Sequence, residues 1–89
     1  MSMIDYSRLR SLKAQKLVSA LIRDGFEFDR QRGSHHLYYH ADGRRVTVSF
    51  HHSAKTFPPK TLKRIIEEQA GWTEADLRRL KLLKQENRK

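Results

Sequence analysis

Apolar residues at helical spacing mark the first element of the chain. Ser11 stands where a helix N-cap belongs, and Gly25 stands where a helix ends. We therefore predict a first helix over residues 12–24. Its apolar positions are Ala14, Leu17, Val18, Leu21 and Ile22. Residues 1–11 show no sustained period and are predicted to form an N-terminal arm.

The hydrophobic period becomes an alternating one after Gly25. Residues 26–31 alternate between two sets, with Phe26, Phe28 and Arg30 on one side and Glu27, Asp29 and Gln31 on the other. This alternation predicts a strand that ends at a turn at Gly33. Residues 35–40 and 44–51 are predicted to form a second and a third strand, joined by a turn at residues 41–43. Val46, Val48 and Phe50 share one face of the third strand. Both connections are too short for a crossover, so we expect an antiparallel meander.

Two further helices are predicted after a polar connection over residues 52–56. Pro58 and Pro59 favour a helix start, because proline costs little in the first turn. The apolar stripe of this helix is Leu62, Ile65, Ile66, Gln69 and Ala70, and Gly71 ends it. Thr73 and Asp76 have the spacing of a capping box, which predicts a short third helix. Its apolar residues are Leu77, Leu80 and Leu83.

This order of elements predicts an α+β fold in a single domain. The helices are expected to cover one sheet face through Leu17, Leu21, Leu62, Ile65 and Ile66. The other face would be free for a partner and would carry Tyr38 or Tyr39, His36, Thr47 and arginines, although a merely solvated outer face would have the same pattern. We divide residues 1–89 into the arm (1–11), the domain proper (12–83) and a basic tail (84–89).

The net charge of the chain indicates which kind of partner it binds. Nineteen Lys and Arg residues against ten Asp and Glu residues give a formal net charge of +9. Such a balance favours an anionic partner, which can be nucleic acid, a membrane surface or an acidic protein. The chain has no cysteine, so disulfides and thiolate metal sites are excluded. No apolar run approaches the roughly 18 residues of a membrane span, and we expect a cytoplasmic protein that does not bind membranes.

Histidines that lie beside arginines in the sequence are the candidate catalytic residues. Histidine exchanges protons near neutral pH, and RNA cleavage needs a base to deprotonate the 2′-hydroxyl and cations to stabilise the phosphate. His35 and His36 follow Gly33-Ser34 directly, and the nearest cations in the sequence are Arg32, Arg44, Arg45 and Lys55. Equally, His35 could be a turn residue bonded to the backbone. A metal site is not expected, because His36 and His40 in one strand would lie roughly 13 Å apart.

Four segments resemble the HicA toxin family of bacterial type II toxin–antitoxin systems, in order between residues 12 and 83. They are Arg23-Asp24-Gly25-Phe26, Arg32-Gly33-Ser34-His35-His36, Gly43-Arg44-Arg45-Val46-Thr47-Val48 and Pro59-Lys60-Thr61-Leu62. The resemblance implies a fold similar to the double-stranded-RNA-binding domain. It also implies ribonuclease activity on mRNA without a metal or other cofactor, and neutralisation by a HicB-like antitoxin.

The resemblance also assigns the site residues. The essential histidine of the family follows its glycine-serine pair, which corresponds to His35, and a shift of one residue would select His36. Independently of the resemblance, RNA contacts are expected at Ser34 and at the nearest cations in the sequence, Arg32, Arg44, Arg45 and Lys55. Many relatives have a proline where this chain has residues 49–52, so no role for His51 or His52 is inherited. The alternative is a noncatalytic RNA-binding module of the same fold, which would need no histidine.

Overall fold

The computed structural model describes residues 4–83 of the 89-residue chain. The predicted basic tail, residues 84–89, lies outside the described residues. The elements in chain order are a 3₁₀ helix (Tyr6–Leu9), helix α1 (Ala14–Arg23), strands β1 (Glu27–Arg32), β2 (His35–Tyr39) and β3 (Arg45–Ser49), helix α2 (Pro59–Lys63) continued by a π-helical segment (Arg64–Gln69), and helix α3 (Glu74–Arg79). This α+β order confirms the predicted fold class.

The sheet is an antiparallel meander in the order β1-β2-β3, as predicted. Tyr38 lies opposite Val46, and His36 lies opposite Val48. Both valines are buried against the helices. The helical residues predicted to cover this face, Leu17, Leu21, Leu62, Ile65 and Ile66, are buried as well. Facing residues in a strand pair share one side of a sheet, so Tyr38 and His36 lie on the helix-covered side. The prediction that placed His36 on the free face is therefore wrong.

A β-bulge interrupts β1 between Phe28 and Arg30. Phe28 lies opposite Tyr38, whereas Arg30 lies opposite Leu37, the next residue back along β2. Since successive residues of a strand point to opposite faces, the extra residue Asp29 turns Arg30 to the side away from Phe28. The alternation read from the sequence, which put Phe28 and Arg30 on one face, is wrong from Asp29 onward.

Helix α1 begins later than predicted, at Ala14, and Ser11 is not its N-cap. Lys13 occupies the cap position without a side-chain hydrogen bond. The N–H groups of Ala14 and Gln15 instead donate to the carbonyls of Lys55 (2.8 Å) and Ser53 (2.9 Å). The connection after β3 thereby provides acceptors for donors that the first helical turn leaves without intrahelical partners.

The second helix begins at the predicted prolines and buries the predicted apolar stripe. Pro59 lies in its first turn, and Leu62, Ile66 and Ala70 are buried. Its second half is π-helical, with the Ala70 N–H donating to the Ile65 carbonyl at 2.9 Å. The side-chain oxygen of Gln69 accepts the Thr47 N–H at 2.8 Å. This bond uses a backbone donor on β3, which is an edge strand of the sheet.

The third helix has the predicted capping box: Thr73 accepts the Asp76 N–H, and the Asp76 side chain accepts the Thr73 N–H.

The described part of the N-terminal arm also packs on the core. Leu9, in the 3₁₀ helix, is buried, and the Tyr6 hydroxyl donates to Glu67 at 2.5 Å. Burial raises the pKa of Tyr6, and the bond to Glu67 adds to that effect.

A polar cluster at one end of the sheet connects several elements through hydrogen bonds to Asp24. It consists of Asp24, Arg44, Trp72 and Arg79, and we call it the Asp24 cluster. The Asp24 carboxylate accepts hydrogen bonds from Trp72 Nε1 (2.9 Å), Arg44 Nη1 (3.2 Å) and Arg79 Nη2 (3.0 Å). Burial alone would raise the pKa of Asp24, but the bonds from Trp72 and Arg79 and the charge of Arg44 hold it below its ordinary value. Asp24 is therefore ionised, and it connects the end of α1 to Arg44, the residue before β3, and to Arg79 in α3.

Candidate functional site

The turn between β1 and β2 is built by Gly33 and Ser34. Gly33 has φ +59°, in the left-handed region that glycine adopts at little cost. Its carbonyl accepts the side-chain N–H of Gln31 at 2.9 Å. The hydroxyls of Ser34 and Ser49 are 3.0 Å apart, and the Phe50 N–H donates to the Ser34 carbonyl at 2.9 Å. These bonds hold Ser34, and with it the first residue of β2, against the end of β3.

His35 is that first residue of β2. It lies opposite Arg32 on β1 and Ser49 on β3, and its side chain is exposed. The three residues share the sheet side away from the helices, which we call the open face. Within residues 4–83 no hydrogen bond or ion pair engages the His35 imidazole. The ring is therefore accessible to an external proton donor or acceptor.

His36 points to the other side of the sheet. Its ring stacks on Phe50, with ring centroids 3.9 Å apart and an angle of 8° between the planes. Its Nδ1 lies 2.9 Å from the Ser34 carbonyl oxygen, so Nδ1 carries the proton of that hydrogen bond. The His36 ring thus stabilises the Gly33-Ser34 turn from the helix-covered side. The two candidate histidines occupy different environments.

The predicted cations do not all lie near His35. Arg32 shares its row on the open face, whereas Arg45 lies opposite Tyr39, four residues along β2 from His35 and roughly 13 Å away. Lys55 lies beside the start of α1, with its ammonium group 5.5 Å from the Phe57 ring centroid.

Arg44 lies at the opposite end of the sheet from His35 and is engaged within the protein. Its guanidinium donates to Asp42, to Asp24 and to the Ala70 carbonyl at 2.6 Å. The bond to Asp42 raises the pKa of Arg44, and the same bond lowers the pKa of Asp42. His40 belongs to this end as well, where its Nε2 donates to the Asp24 carbonyl at 2.9 Å.

Sequence reasoning missed Arg30 on the open face and left Tyr39 undecided. The bulge at Asp29 brings Arg30 into the row of Leu37 and Thr47. Tyr39, left open against Tyr38, is on this face and is 43% exposed. No local sequence signal marks the bulge, because Asp29 fits the alternating pattern of its neighbours.

The described residues contain no group of three or more His, Asp or Glu side chains that could hold a metal ion. Over the same residues, 4–83, no helix has the length and apolar character needed to cross a membrane.

The three-stranded meander covered on one side by helices gives the class, a small basic domain whose α+β fold is similar to that of the double-stranded-RNA-binding domain. The HicA toxin family matches residues 14–72, which is more than half of the chain. The protein therefore belongs to the HicA toxin family of bacterial toxin–antitoxin systems. A comparison with curated proteins gave no significant match. The match contains α1, the sheet, the Gly33-Ser34 turn and α2, and it ends before α3.

Proposed function

We propose that this toxin is a metal-independent endoribonuclease that cleaves mRNA with His35 as its catalytic base. The observation that supports the proposal best is the contrast between two adjacent histidines. His35 is exposed beside Arg32 on the open face, whereas His36 is stacked on Phe50 and bonded to the Ser34 carbonyl. An imidazole that must accept a proton from a substrate needs the first environment.

In the proposed reaction the neutral His35 imidazole accepts the proton of an RNA 2′-hydroxyl. The 2′-oxygen attacks the adjacent phosphorus, and the bond to the 5′-oxygen breaks. The products are a 2′,3′-cyclic phosphate and a 5′-hydroxyl, which takes its proton from the solvent that reaches this exposed site. Arg32 stabilises the negative charge that develops on the phosphate oxygens. Ser34, Lys55 and Arg45 hold neighbouring parts of the RNA.

In this proposal Arg44 has a structural role. Its guanidinium is bonded to two carboxylates and a carbonyl, and binding a phosphate would require it to exchange those bonds. His36 acts as a positioning residue, because its ring supports the turn that carries His35.

The test replaces three histidines, one at a time. His35→Gln should retain its fold and its RNA binding while cleavage falls by about 10²–10⁴-fold, the usual contribution of a positioned general base. His51→Gln is the matched control, because His51 is also exposed but lies beyond β3. His36→Gln should reduce the rate less than His35→Gln does, because the His36 ring only supports the turn that carries His35.

Two further measurements sharpen the assignment. Because His35 is exposed, added imidazole should partly restore cleavage by His35→Ala. Cleavage by the intact protein should persist in excess chelator. Full cleavage by His35→Gln would refute the proposed base, and intact protein that binds RNA without cleaving it would favour the noncatalytic RNA-binding module.

We also propose that a HicB-like antitoxin neutralises the protein by covering the His35 surface. Carboxylates of such a partner would face Arg32 and Arg45, which are exposed there. Steering between opposite charges is screened by salt, so the association rate should fall as ionic strength rises. Induction of the toxin alone should arrest growth, and co-expression of the antitoxin should relieve the arrest. Unchanged growth with verified soluble toxin would contradict this assignment.

A further inference from the structure

The open face carries more than the proposed active site. The strand register places three rows of residues on it. The rows are Glu27, Tyr39 and Arg45; Arg30, Leu37 and Thr47; and Arg32, His35 and Ser49. His35 lies in the last row and Tyr39 in the first, roughly 13 Å away along β2. Most of this face is therefore outside hydrogen-bonding reach of the reacting phosphate.

The charge of the face favours an anionic partner. Arg30, Arg32 and Arg45 are all exposed. Glu27 also lies on this face, and Asp29 contacts Arg30 at a long 3.7 Å. An exposed ion pair at that distance contributes little, so Arg30 can exchange Asp29 for a phosphate at small cost. The arginines occur in every row and can follow a backbone along β2.

The exposed aromatic ring indicates which form of nucleic acid fits. Tyr39 is 43% exposed and lies between Glu27 and Arg45 in the first row. A base can stack on an exposed ring when it is unpaired, whereas the bases of a duplex already stack on one another inside the helix. A duplex would therefore gain the arginine contacts but not the stacking.

We propose that the open face binds single-stranded RNA, with an unpaired base stacked on Tyr39 and its flanking phosphates held by Arg30 and Arg45. The strand then continues toward Arg32 and His35. The inference rests on the proposed function and specifies its substrate as unpaired message, although the fold resembles domains that bind double-stranded RNA. It also gives Arg30 and Tyr39 a role in substrate selection.

The test measures binding of a fluorescently labelled 2′-O-methyl RNA, as a single strand and as a duplex. This RNA has no free 2′-hydroxyl and cannot be cleaved, so binding and the proposed cleavage can fail separately. Tyr39→Leu should weaken single-strand binding about tenfold, and Tyr39→Phe should restore it. Phe28→Leu is the matched control, because Phe28 is 54% exposed but lies opposite Tyr38, off the open face.

The arginines are tested by the salt dependence of the same binding. Arg30→Gln and Arg45→Gln should each reduce the slope of log affinity against log salt by about 0.7. Arg23→Gln, at the exposed end of α1, should leave it unchanged. Since these variants keep Tyr39, they test the face even if Tyr39→Leu fails to fold.

Three outcomes would overturn the inference. The first is a duplex that binds as tightly as the single strand. The second is a Tyr39→Leu effect no larger than that of Phe28→Leu. The third is loss of antitoxin binding in the open-face variants with RNA binding unchanged, which would assign this surface to the antitoxin. Tyr39-dependent binding by a protein that cuts no RNA would instead refute the proposed cleavage and leave this inference standing.

Discussion

Replacing Asp24 with asparagine measures how much the Asp24 cluster contributes to stability. The Asp24 side chain is 11% exposed and accepts hydrogen bonds from Trp72, Arg44 and Arg79. Hydrogen bonds to charged groups contribute about 1.5–3 kcal/mol each, and asparagine can accept only part of this set while its own N–H groups face donors. We expect Asp24→Asn to lower the free energy of unfolding by about 2 kcal/mol. For a domain of this size, that corresponds to a fall in Tm of roughly 8–16 °C.

The effect should depend on pH in one direction. Burial would raise the pKa of Asp24, but the bonds from Trp72 and Arg79 and the charge of Arg44 lower it below its ordinary value. A carboxyl of this kind stabilises the fold above its unfolded pKa of about 3.9, and the contribution is lost as the pH falls through the folded value. The difference in Tm between the two proteins should therefore be largest near neutral pH and shrink below a pH of about 4.

Thermal unfolding followed by circular dichroism, at about pH 7 and about pH 3, measures this difference. Glu68→Gln is the matched control, because it removes a carboxylate at an exposed position and should cost less than about 0.5 kcal/mol. An Asp24→Asn loss equal to that of the control would refute the proposed contribution of the cluster. A loss of the same size at both pH values would refute its dependence on the ionised carboxylate.

Substitutions at three other positions test separate parts of the fold. Gly25→Ala should destabilise the protein by at least about 1–2 kcal/mol in urea unfolding, because Gly25 has φ +100° and an added Cβ would lie 2.8 Å from His40 Nε2; wild-type stability would contradict this backbone geometry. Thr73→Ala removes the acceptor of the α3 capping box and should cost about 1 kcal/mol in the same assay, whereas Thr73→Ser should cost less. Arg44→Gln should lower the Tm while leaving the salt dependence of RNA binding at the wild-type slope, and a slope reduced by about 0.7 would instead show a phosphate contact.

Local signals in the sequence predicted the order of the elements. The periodicity of Leu17 and Leu21, the turn at Gly33 and the capping box of Thr73 all act within a few residues. The sheet register followed from the buried faces of Val46 and Val48, because a slip of one residue would expose both. These features agree with one another, which is why the α+β class and the meander could be predicted.

Features that depend on distant residues could not be predicted in this way. The bonds of Arg44 to Asp24 and to the Ala70 carbonyl span 20 and 26 residues. The start of α1 is fixed by carbonyls of the later connection at residues 53–55, so Ser11 gave a misleading signal. The bulge at Asp29 changes which side Arg30 faces without altering the local pattern. The glycine-serine-histidine motif indicated two candidate histidines, and the register showed that His35 is the one that faces away from the helices.

The bulge in β1 also bears on the solubility of the toxin. In the free toxin β1 is an edge strand of the sheet, and an unpaired edge can pair with a strand of another chain. All six residues of β1 are exposed, most of them are charged, and the extra residue at Asp29 twists the strand out of regular register. A second chain would therefore find a poor template for extending the sheet. Removing Asp29 would regularise that edge and expose the free toxin to self-association through β1.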